Sequence, residues 1–341
     1  MKPRRWYFRF FPLLGIGGVL VTGSSAGWLT DLGVKRLLVP RQYGTEAWMD
    51  QITDNPETSG FRLQRFSVTS ADSFELKAMV LEPAGSAGTT KRGQVIRAAL
   101  KDAGVPVRNN KVRGTLILLH GFNARKEHML PFAGRMTAAG FRCVIYDSRG
   151  HGDSGGTYAT FGAREKDDLR RVVEAARTVV GGQGLGPLGL LGYSMGGAVA
   201  IQSQPEMPEV KAVASIAAFA EFREVILGQA AGAWRGLGTP LLPLVRWETR
   251  WRAGIDPWDI RPLEAAKHLT CPLFLAHGTA DALVPASEMQ RLASAAGAQV
   301  RELVEIKDAT HGNVFVTGGD ALWGKLAVFF VRELAADPSF P

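Results

Sequence analysis

The sequence predicts an α/β domain with a mostly parallel sheet, and three observations support this prediction. From residue 114 onward, short apolar runs alternate with segments of helical periodicity, which is typical of parallel strands joined by crossover helices. One apolar run ends in Gly-Tyr-Ser-Met-Gly at residues 192–196 and is followed by a helix of small residues, an order of strand, sharp turn and helix. Polar residues whose side chains could take part in catalysis or binding follow the ends of several predicted strands.

Length and composition agree with a globular domain. The chain has 341 residues, of which 46% are hydrophobic and 21% charged, so it can bury a large core. The formal net charge is +8, but Lys2, Arg4, Arg5 and Arg9 supply four of these charges. No basic cluster interleaved with aromatic residues follows, and we therefore expect no nucleic-acid partner.

The first 30 residues resemble a targeting segment. Residues 1–9 are basic and aromatic, and residues 10–30 carry no charge. Ser24 and Ala26 allow cleavage of a signal peptide after Ala26, whereas the uncharged run is also about long enough for an uncleaved membrane anchor. A buried helix of a soluble protein is the third interpretation. Either of the first two predicts an extracytoplasmic domain, secreted, periplasmic or anchored to the membrane.

Residues 31–60 are predicted to connect this segment to the main domain, which we assign to residues 61–336, and their sequence is compatible with a short helix. Residues 61–69 and 74–81 form alternating apolar runs around a polar turn, the pattern of a β-hairpin. Residues 83–113 are predicted to be a solvated insertion with a helical turn or two at residues 95–103.

The alternating region supplies the remaining strands and helices. Its strands are predicted at residues 115–119, 142–146, 188–191, 211–217, 273–276 and 299–306, and its helices at residues 129–139, 165–180, 197–201 and 321–334. The two cysteines, Cys143 and Cys271, lie at or next to core strands and are predicted to be buried free thiols.

Residues 218–262 interrupt the alternation and are rich in Trp, Pro and Gly. An aromatic, irregular insertion at this point of the chain is predicted to form a lid over a site at the sheet edge. The alternative is a hydrophobic excursion packed on the surface, and the two interpretations are compatible.

Three side chains predict nucleophilic catalysis. Ser194 lies at the sharp turn, Asp281 follows the strand ending at residue 276, and His311 follows the strand ending at residue 306. Loops at the carboxyl ends of parallel strands converge on one edge, so these residues can meet. A serine hydroxyl needs a base to attack a carbonyl, which His311 would provide, and Asp281 would orient the imidazole.

The same chemistry requires donors to an oxyanion. The backbone N–H groups of Met195, after the nucleophile, and Phe122, in the loop after the strand at residues 115–119, are the candidates. His120 is interpreted as a structural residue that braces this loop. His151 is the alternative general base.

These motifs together resemble the α/β-hydrolase family, most closely its monoacylglycerol-lipase and serine-aminopeptidase-like branch. The resemblance covers about residues 60–335 and rests on His-Gly-Phe at 120–122, Asp-Ser-Arg-Gly-His-Gly-Asp-Ser at 147–154, Gly-Tyr-Ser-Met-Gly at 192–196, His-Gly-Thr-Ala-Asp at 277–281 and Thr-His-Gly at 310–312. It implies the α/β-hydrolase fold, with eight mostly parallel strands, helices on both faces and a lid at about 218–262. It also implies hydrolysis through an acyl-enzyme on Ser194.

The resemblance does not fix the substrate, because members of the family cleave esters, thioesters and amides or transfer acyl groups. We expect a carboxylesterase or lipase-like serine hydrolase with a small-molecule acyl substrate. The alternatives are a peptidase or acyltransferase with the same triad, and a non-catalytic, membrane-tethered interaction protein. No metal-binding motif occurs, so neither a metal nor a cofactor is expected, and the oligomeric state stays open.

Overall fold

The computed structural model describes residues 23–106, 112–234 and 242–335. Eight strands form one sheet in the order β1-β2-β4-β3-β5-β6-β7-β8. Strand β2 pairs antiparallel with both neighbours, whereas every pairing from β4 to β8 is parallel. The predicted fold class, a mostly parallel eight-stranded sheet, is therefore confirmed.

The strands agree closely with the predicted runs. They are β1 (Phe61–Thr69), β2 (Glu75–Pro83), β3 (Thr115–Leu119), β4 (Arg142–Tyr146), β5 (Leu188–Tyr193), β6 (Val210–Ile216), β7 (Leu273–Gly278) and β8 (Val300–Ile306). Strands β3 and β4 are buried along their whole length, as expected of central parallel strands covered on both faces.

Helices cover both faces of this sheet. They are α1 (Gly23–Leu38), α2 (Ala47–Asp54), α3 (Lys91–Asp102), α4 (Leu130–Ala138), α5 (Glu165–Val180), α6 (Met195–Ser203), α7 (Phe222–Trp234), α8 (Leu242–Ala253), α9 (Pro262–Ala266), α10 (Ser287–Ala296) and α11 (Val314–Ala335). Successive strand residues point to opposite faces, so Ile117 belongs to the core cluster that includes α1, α5, α6 and α10, while Leu116 belongs to the cluster that includes α3, α4 and α11.

The insertion at residues 83–113 differs from the prediction of a solvated loop. Helix α3 has twelve residues and is capped by Thr90, whose Oγ1 accepts from the Gly93 N–H at 2.9 Å. Ile96 and Leu100 are fully buried and join the core face formed by α4 and α11. The many polar residues elsewhere in α3 concealed this narrow apolar stripe. Residues 107–111 lie outside the described residues.

The N-terminal and lid regions contain more helix than expected. Helix α1 begins at Gly23 and runs into the predicted connecting segment, where Val34 and Leu38 are buried in the core. Residues 1–22 of the predicted signal or anchor lie outside the described residues. The predicted lid, which we expected to be irregular, contains α7 and α8 on either side of residues 235–241, which are also outside the described residues.

Both cysteine thiols are free and buried, as predicted. Within the described part of the chain, one helical stretch, His311–Leu334, is long and apolar enough to cross a bilayer. Half of it is buried inside the protein, including Leu326 and Phe330, which are fully enclosed. Its apolar composition is therefore explained by packing against the sheet.

Candidate active site

Ser194 occupies a strained turn between β5 and α6. Its backbone angles are φ 54° and ψ −115°, a left-handed conformation that a serine rarely adopts. The turn requires glycine at Gly196, because a Cβ there would lie 2.2 Å from the Leu119 carbonyl oxygen. Tight packing of α6 against the ends of β3 and β5 thus holds the Ser194 hydroxyl at the carboxyl edge of the sheet.

The structure brings the three predicted side chains together. His311 Nε2 lies 2.9 Å from Ser194 Oγ, and His311 Nδ1 lies 2.7 Å from Asp281 Oδ2. Ser194 comes from the β5–α6 turn, Asp281 from the loop after β7 and His311 from the loop after β8. A hydroxyl, an imidazole and a carboxylate in this order form a relay in which the imidazole can accept the hydroxyl proton while the carboxylate stabilises the imidazolium.

Asp281 is held as a carboxylate by several donors. Its Oδ1 accepts from the backbone N–H groups of Leu283 and Val284 at 3.0 and 2.9 Å. Burial of the side chain opposes ionisation, but the hydrogen bonds from His277 and His311 outweigh it and hold the pKa of Asp281 far below its ordinary value. The group therefore carries a full negative charge throughout the neutral pH range.

His277 is a residue that the sequence analysis placed in a motif without giving it a role. It is the next-to-last residue of β7 and is 1% exposed, and its Nε2 lies 2.8 Å from the Val284 carbonyl and 3.2 Å from Asp281 Oδ2. One Nε2–H can thus be shared between the carbonyl and the carboxylate. The sequence feature that could have indicated this contact is the spacing of four residues between His277 and Asp281, which lie on either side of a turn.

The loop that carries His311 is anchored on both sides. Tyr193, next to the nucleophile, donates its phenolic hydroxyl to the His311 carbonyl. On the preceding side, the Thr310 N–H donates to Asn313 Oδ1 at 2.7 Å, which closes the short helical turn at His311. These bonds fix the backbone of His311, so the imidazole is aimed at Ser194 before any substrate binds.

The loop after β3 abuts the nucleophile, as the oxyanion prediction requires. A Cβ on Gly121 would lie 3.5 Å from Ser194 Cβ and 3.1 Å from the Tyr193 ring, so only glycine fits without displacement. Phe122 follows directly, and Met195 begins α6, where the first N–H groups have no partner within the helix. Both predicted donors therefore belong to segments in contact with Ser194, and their roles remain predictions.

His120 has the bracing position expected of it. Its Nδ1 lies 2.8 Å from the Gly121 carbonyl, and its Nε2 accepts from the Ser148 N–H at 3.0 Å. This links the loop after β3 to the loop after β4. Burial lowers the pKa of His120, so the imidazole is neutral at physiological pH and can accept this bond.

His151 packs behind Phe122 and does not replace His311 as the partner of Ser194. Its ring is edge-on to those of His120 and Phe122, at centroid distances of 4.9 and 5.7 Å. Its Nδ1 lies 2.9 Å from the Arg149 carbonyl, and within the described structure its buried Nε2 has no hydrogen-bond partner. Burial, together with the neighbouring His120, lowers the pKa of His151 to about 3.

An ion-pair cluster, buried except for Asp153, supports the loop after β3. Lys126 Nζ lies 2.7 Å from one carboxylate oxygen of Asp147 and 2.7 Å from one of Asp153. Burial disfavours the ammonium, yet the Asp147 and Glu127 carboxylates outweigh it and raise the pKa of Lys126. The cluster therefore stays ionised and ties residues after β3 to residues after β4.

Aromatic rings connect α7, in the predicted lid, to the loop after β3, which we call the oxyanion loop because it carries the predicted donor Phe122. The Phe122 ring lies 5.1 Å from that of Phe161, which stacks at 4.0 Å on Phe222 of α7. Phe219, just after β6, lies 5.5 Å from Phe222. We call these four rings the aromatic wall, and it extends from Phe122, which follows Gly121 beside Ser194, to α7. In the three described segments of the chain, no group of three His, Cys, Asp or Glu side chains is arranged to hold a metal ion.

The sheet topology and the three convergent side chains define an α/β-hydrolase fold with a serine-centred relay. Residues 110–257 match the family model described as serine aminopeptidase, S33. The uncharacterized protein YqkD of Bacillus subtilis (strain 168) is 29% identical over 180 residues, which cover 52% of this chain and 58% of that protein. The match thus spans less than two thirds of this curated relative.

Solved structures with the same fold include two kinds of hydrolase. An esterase of Pyrococcus furiosus superposes with a TM-score of 0.63 and 20% identity, covering 87% of this chain and 99% of the esterase. An acylaminoacyl peptidase of Pyrococcus horikoshii superposes with a TM-score of 0.59 and 16% identity, covering 87% of this chain and 45% of the peptidase. The chain therefore shares the α/β-hydrolase fold with these enzymes.

Proposed function

We propose that this protein is a serine hydrolase that cleaves carboxylic esters through an acyl-enzyme on Ser194. The observation that carries the proposal is the position of His311, whose two ring nitrogens lie 2.9 Å from Ser194 Oγ and 2.7 Å from Asp281 Oδ2. An activated serine nucleophile requires an imidazole base that is oriented by a carboxylate, whereas a serine without a catalytic role does not.

The reaction proceeds in two half-reactions. Ser194 Oγ attacks the ester carbonyl while its proton passes to His311 Nε2, and the oxyanion receives hydrogen bonds from the N–H groups of Phe122 and Met195. The imidazolium, stabilised by Asp281, then gives this proton to the departing alcohol. Water attacks the acyl-enzyme with His311 again as base, and the acid leaves as Ser194 regains its proton.

The match to an esterase over nearly its whole length supports the choice of an ester. The Pyrococcus furiosus esterase is covered over 99% of its chain, whereas the acylaminoacyl peptidase is covered over 45%. A peptidase with the same triad is the second candidate, because the matching family model is described as a serine aminopeptidase. The same relay can catalyse both reactions, so a test of the substrate has to include esters as well as amides.

Covalent labelling and turnover test the proposal together. The wild-type chain is expected to react with a fluorophosphonate probe and to hydrolyse p-nitrophenyl esters, whereas Ser194→Ala should lose labelling and about 10⁴-fold or more in kcat. Ser294→Ala, at an exposed serine of α10, is the matched control and should behave as wild type. Unchanged ester turnover in Ser194→Ala would exclude Ser194 as nucleophile, and faster cleavage of matched amides than esters would favour the peptidase.

We also propose that the domain acts outside the cytoplasm, held at the membrane or released after cleavage. The support is the basic start of the chain followed by the uncharged residues 10–30. Mass spectrometry of the mature N-terminus distinguishes the two outcomes, since cleavage after Ala26 would leave Gly27 as the first residue.

A further inference from the structure

We propose that the exposed face of α8 is a docking surface for an anionic lipid bilayer. The face consists of Leu244, Trp247, Arg250 and Trp251, and we call it the tryptophan face. The inference concerns binding and does not depend on the chemistry of Ser194.

The tryptophan face is unusual for a protein surface in water. Trp247 and Trp251 are 64% and 72% exposed, and Leu244, one turn earlier, is 46% exposed. The two indole rings are parallel, with an interplanar angle of 3° and centroids 6.4 Å apart. Their spacing of four residues puts both on one side of the helix. Large aromatic groups aligned on one exposed helix face mark an interaction site.

The opposite side of α8 is firmly packed, which makes the tryptophan face the outer surface of an ordered helix. Glu248 and Thr249 are buried, and Arg252 pairs with Asp31 of α1 at 2.7 Å. A Cβ on Gly33 would lie 3.1 Å from Val245, so α1 and α8 approach closely. The position of the face is therefore fixed relative to α1.

Helix α1 identifies a bilayer as the partner. Its first eight residues, 23–30, belong to the uncharged run, and Asp31 is the first charge after that run. Gly33, where α8 makes contact, follows Thr30 by three residues, or about 4.5 Å along a helix axis. If residues 10–30 enter a membrane, α8 lies at the level of the lipid headgroups, where Trp residues are enriched.

The charges around the tryptophan face match anionic lipid. Arg250 pairs with Asp256 at 3.4 Å but keeps a side chain that is 62% exposed, and Lys35 on α1 is 60% exposed. Asp256 is itself shared with Arg246 at 2.7 Å, so cations outnumber the carboxylate at this point. The acidic groups nearby are engaged, since Asp31 pairs with Lys35 and Arg252, and Glu248 with Arg252. Indole rings with interspersed cations are the composition of interfacial helices.

A fluorescent label on the tryptophan face tests docking in the full-length chain. Trp251→Cys is labelled with bimane, which is selective because Cys143 and Cys271 are 0% and 4% exposed. Val316→Cys, at an apolar residue of α11 that is 76% exposed, is the matched control. With vesicles of phosphatidylglycerol and phosphatidylcholine, headgroup nitroxide lipids should quench the label at position 251 strongly and the label at 316 weakly.

A charge change separates docking of this face from simple anchoring by the N-terminal segment. Arg250→Glu in the Trp251→Cys chain changes the charge of the tryptophan face by two units and should weaken docking on anionic vesicles at least fivefold for each unit. Flotation of the whole chain with the vesicles should be retained. Equal quenching at positions 251 and 316 in chains that float would overturn the proposal. So would a blue shift of the label that follows protein concentration without vesicles, because the occupant would then be a second copy of the chain.

Discussion

His277 and His311 contact the same oxygen of Asp281. His311 Nδ1 lies 2.7 Å from Asp281 Oδ2, and His277 Nε2 lies 3.2 Å from it. The carboxylate thus faces the general base on one side and a buried imidazole on the other. A second donor on the triad acid fixes its rotamer and moderates its charge.

From this contact we expect His277→Leu, which removes the donor, to lower kcat by about 10- to 100-fold with little change in KM, because small misplacements of Asp281 propagate to His311. Loss of the donor leaves more negative charge on Asp281, so the acid limb of the pH–rate profile should move to higher pH. Steady-state kinetics over a pH series measures both effects. His268→Gln, at an exposed histidine, is the control. If the variant lost the same fraction of activity at every pH, with an unshifted pH–rate profile, His277 would have a purely structural role.

Asp281 links activity to stability. The pKa of its carboxyl is lowered in the folded protein, so ionisation stabilises the fold above the ordinary Asp pKa, and this contribution is lost as pH falls through the folded-state pKa. Asp281→Asn should therefore be less stable than wild type at pH 7 and approach it in acid.

Denaturant unfolding of both proteins at several pH values measures that difference. The same variant should lose about 10⁴-fold in kcat at pH 7, because the amide can hold the wrong imidazole tautomer. A stability gap that grows in acid would contradict the assignment of Asp281 as a stabilising carboxylate.

His151 predicts a second acid effect of the same sign. Burial lowers the pKa of His151 to about 3, so between this value and the unfolded value near 6.5 the unfolded chain binds the extra proton. Stability must fall as pH falls through this window, by on the order of 3 kcal/mol between pH 7 and pH 4 for this group.

His151→Phe removes the titrating group and keeps a ring between His120 and Phe122. Its unfolding free energy should fall less steeply from pH 7 to pH 4 than that of wild type, even if the lost bond to the Arg149 carbonyl destabilises it at neutral pH. His268→Gln again serves as control and should keep the wild-type slope. Parallel curves for wild type and His151→Phe would show that this imidazole is not responsible.

The site was predictable from the sequence because parallel topology makes strand ends converge. Ser194, Asp281 and His311 could be assigned from the order of apolar runs and the residues that follow them, without any knowledge of contacts. The strained turn at Ser194 was also predictable, since glycine at positions 192 and 196 allows the close approach of α6.

Other features depended on tertiary contacts that periodicity does not reveal. Helix α3 buries Ile96 and Leu100, but both have charged neighbours in the sequence, so the composition of this segment predicts a solvated loop. Helices α7 and α8 lie in a region whose Pro and Gly content indicates irregular chain, yet packing against α1 and the core supports them. The hydrogen bond from His277 to Asp281 depends on the orientation of the imidazole. The spacing of the two residues in the sequence allows this orientation but does not determine it.

The aromatic wall makes a prediction about acyl selectivity. Phe222 of α7 stacks on Phe161 at 4.0 Å, and Phe161 in turn lies 5.1 Å from Phe122 of the oxyanion loop. A smaller residue at position 222 should open space on the lid side of the nucleophile. Phe222→Leu should therefore raise kcat/KM for octanoyl over acetyl p-nitrophenyl esters by about tenfold, the worth of one or two methylene contacts.

The control for this prediction is Phe330→Leu. Phe330 of α11 is fully buried on the face of the sheet opposite to that of Phe222, and its ring lies 6.3 Å from that of Phe141. Both substitutions should cost about 1 kcal/mol of stability, since each replaces a buried ring by a smaller apolar group. Only Phe222→Leu should alter the chain-length profile, because only its ring belongs to the wall that reaches the oxyanion loop. A shift of equal size in both variants would indicate a general loosening of the fold, and the wall would then have no part in selecting the acyl group.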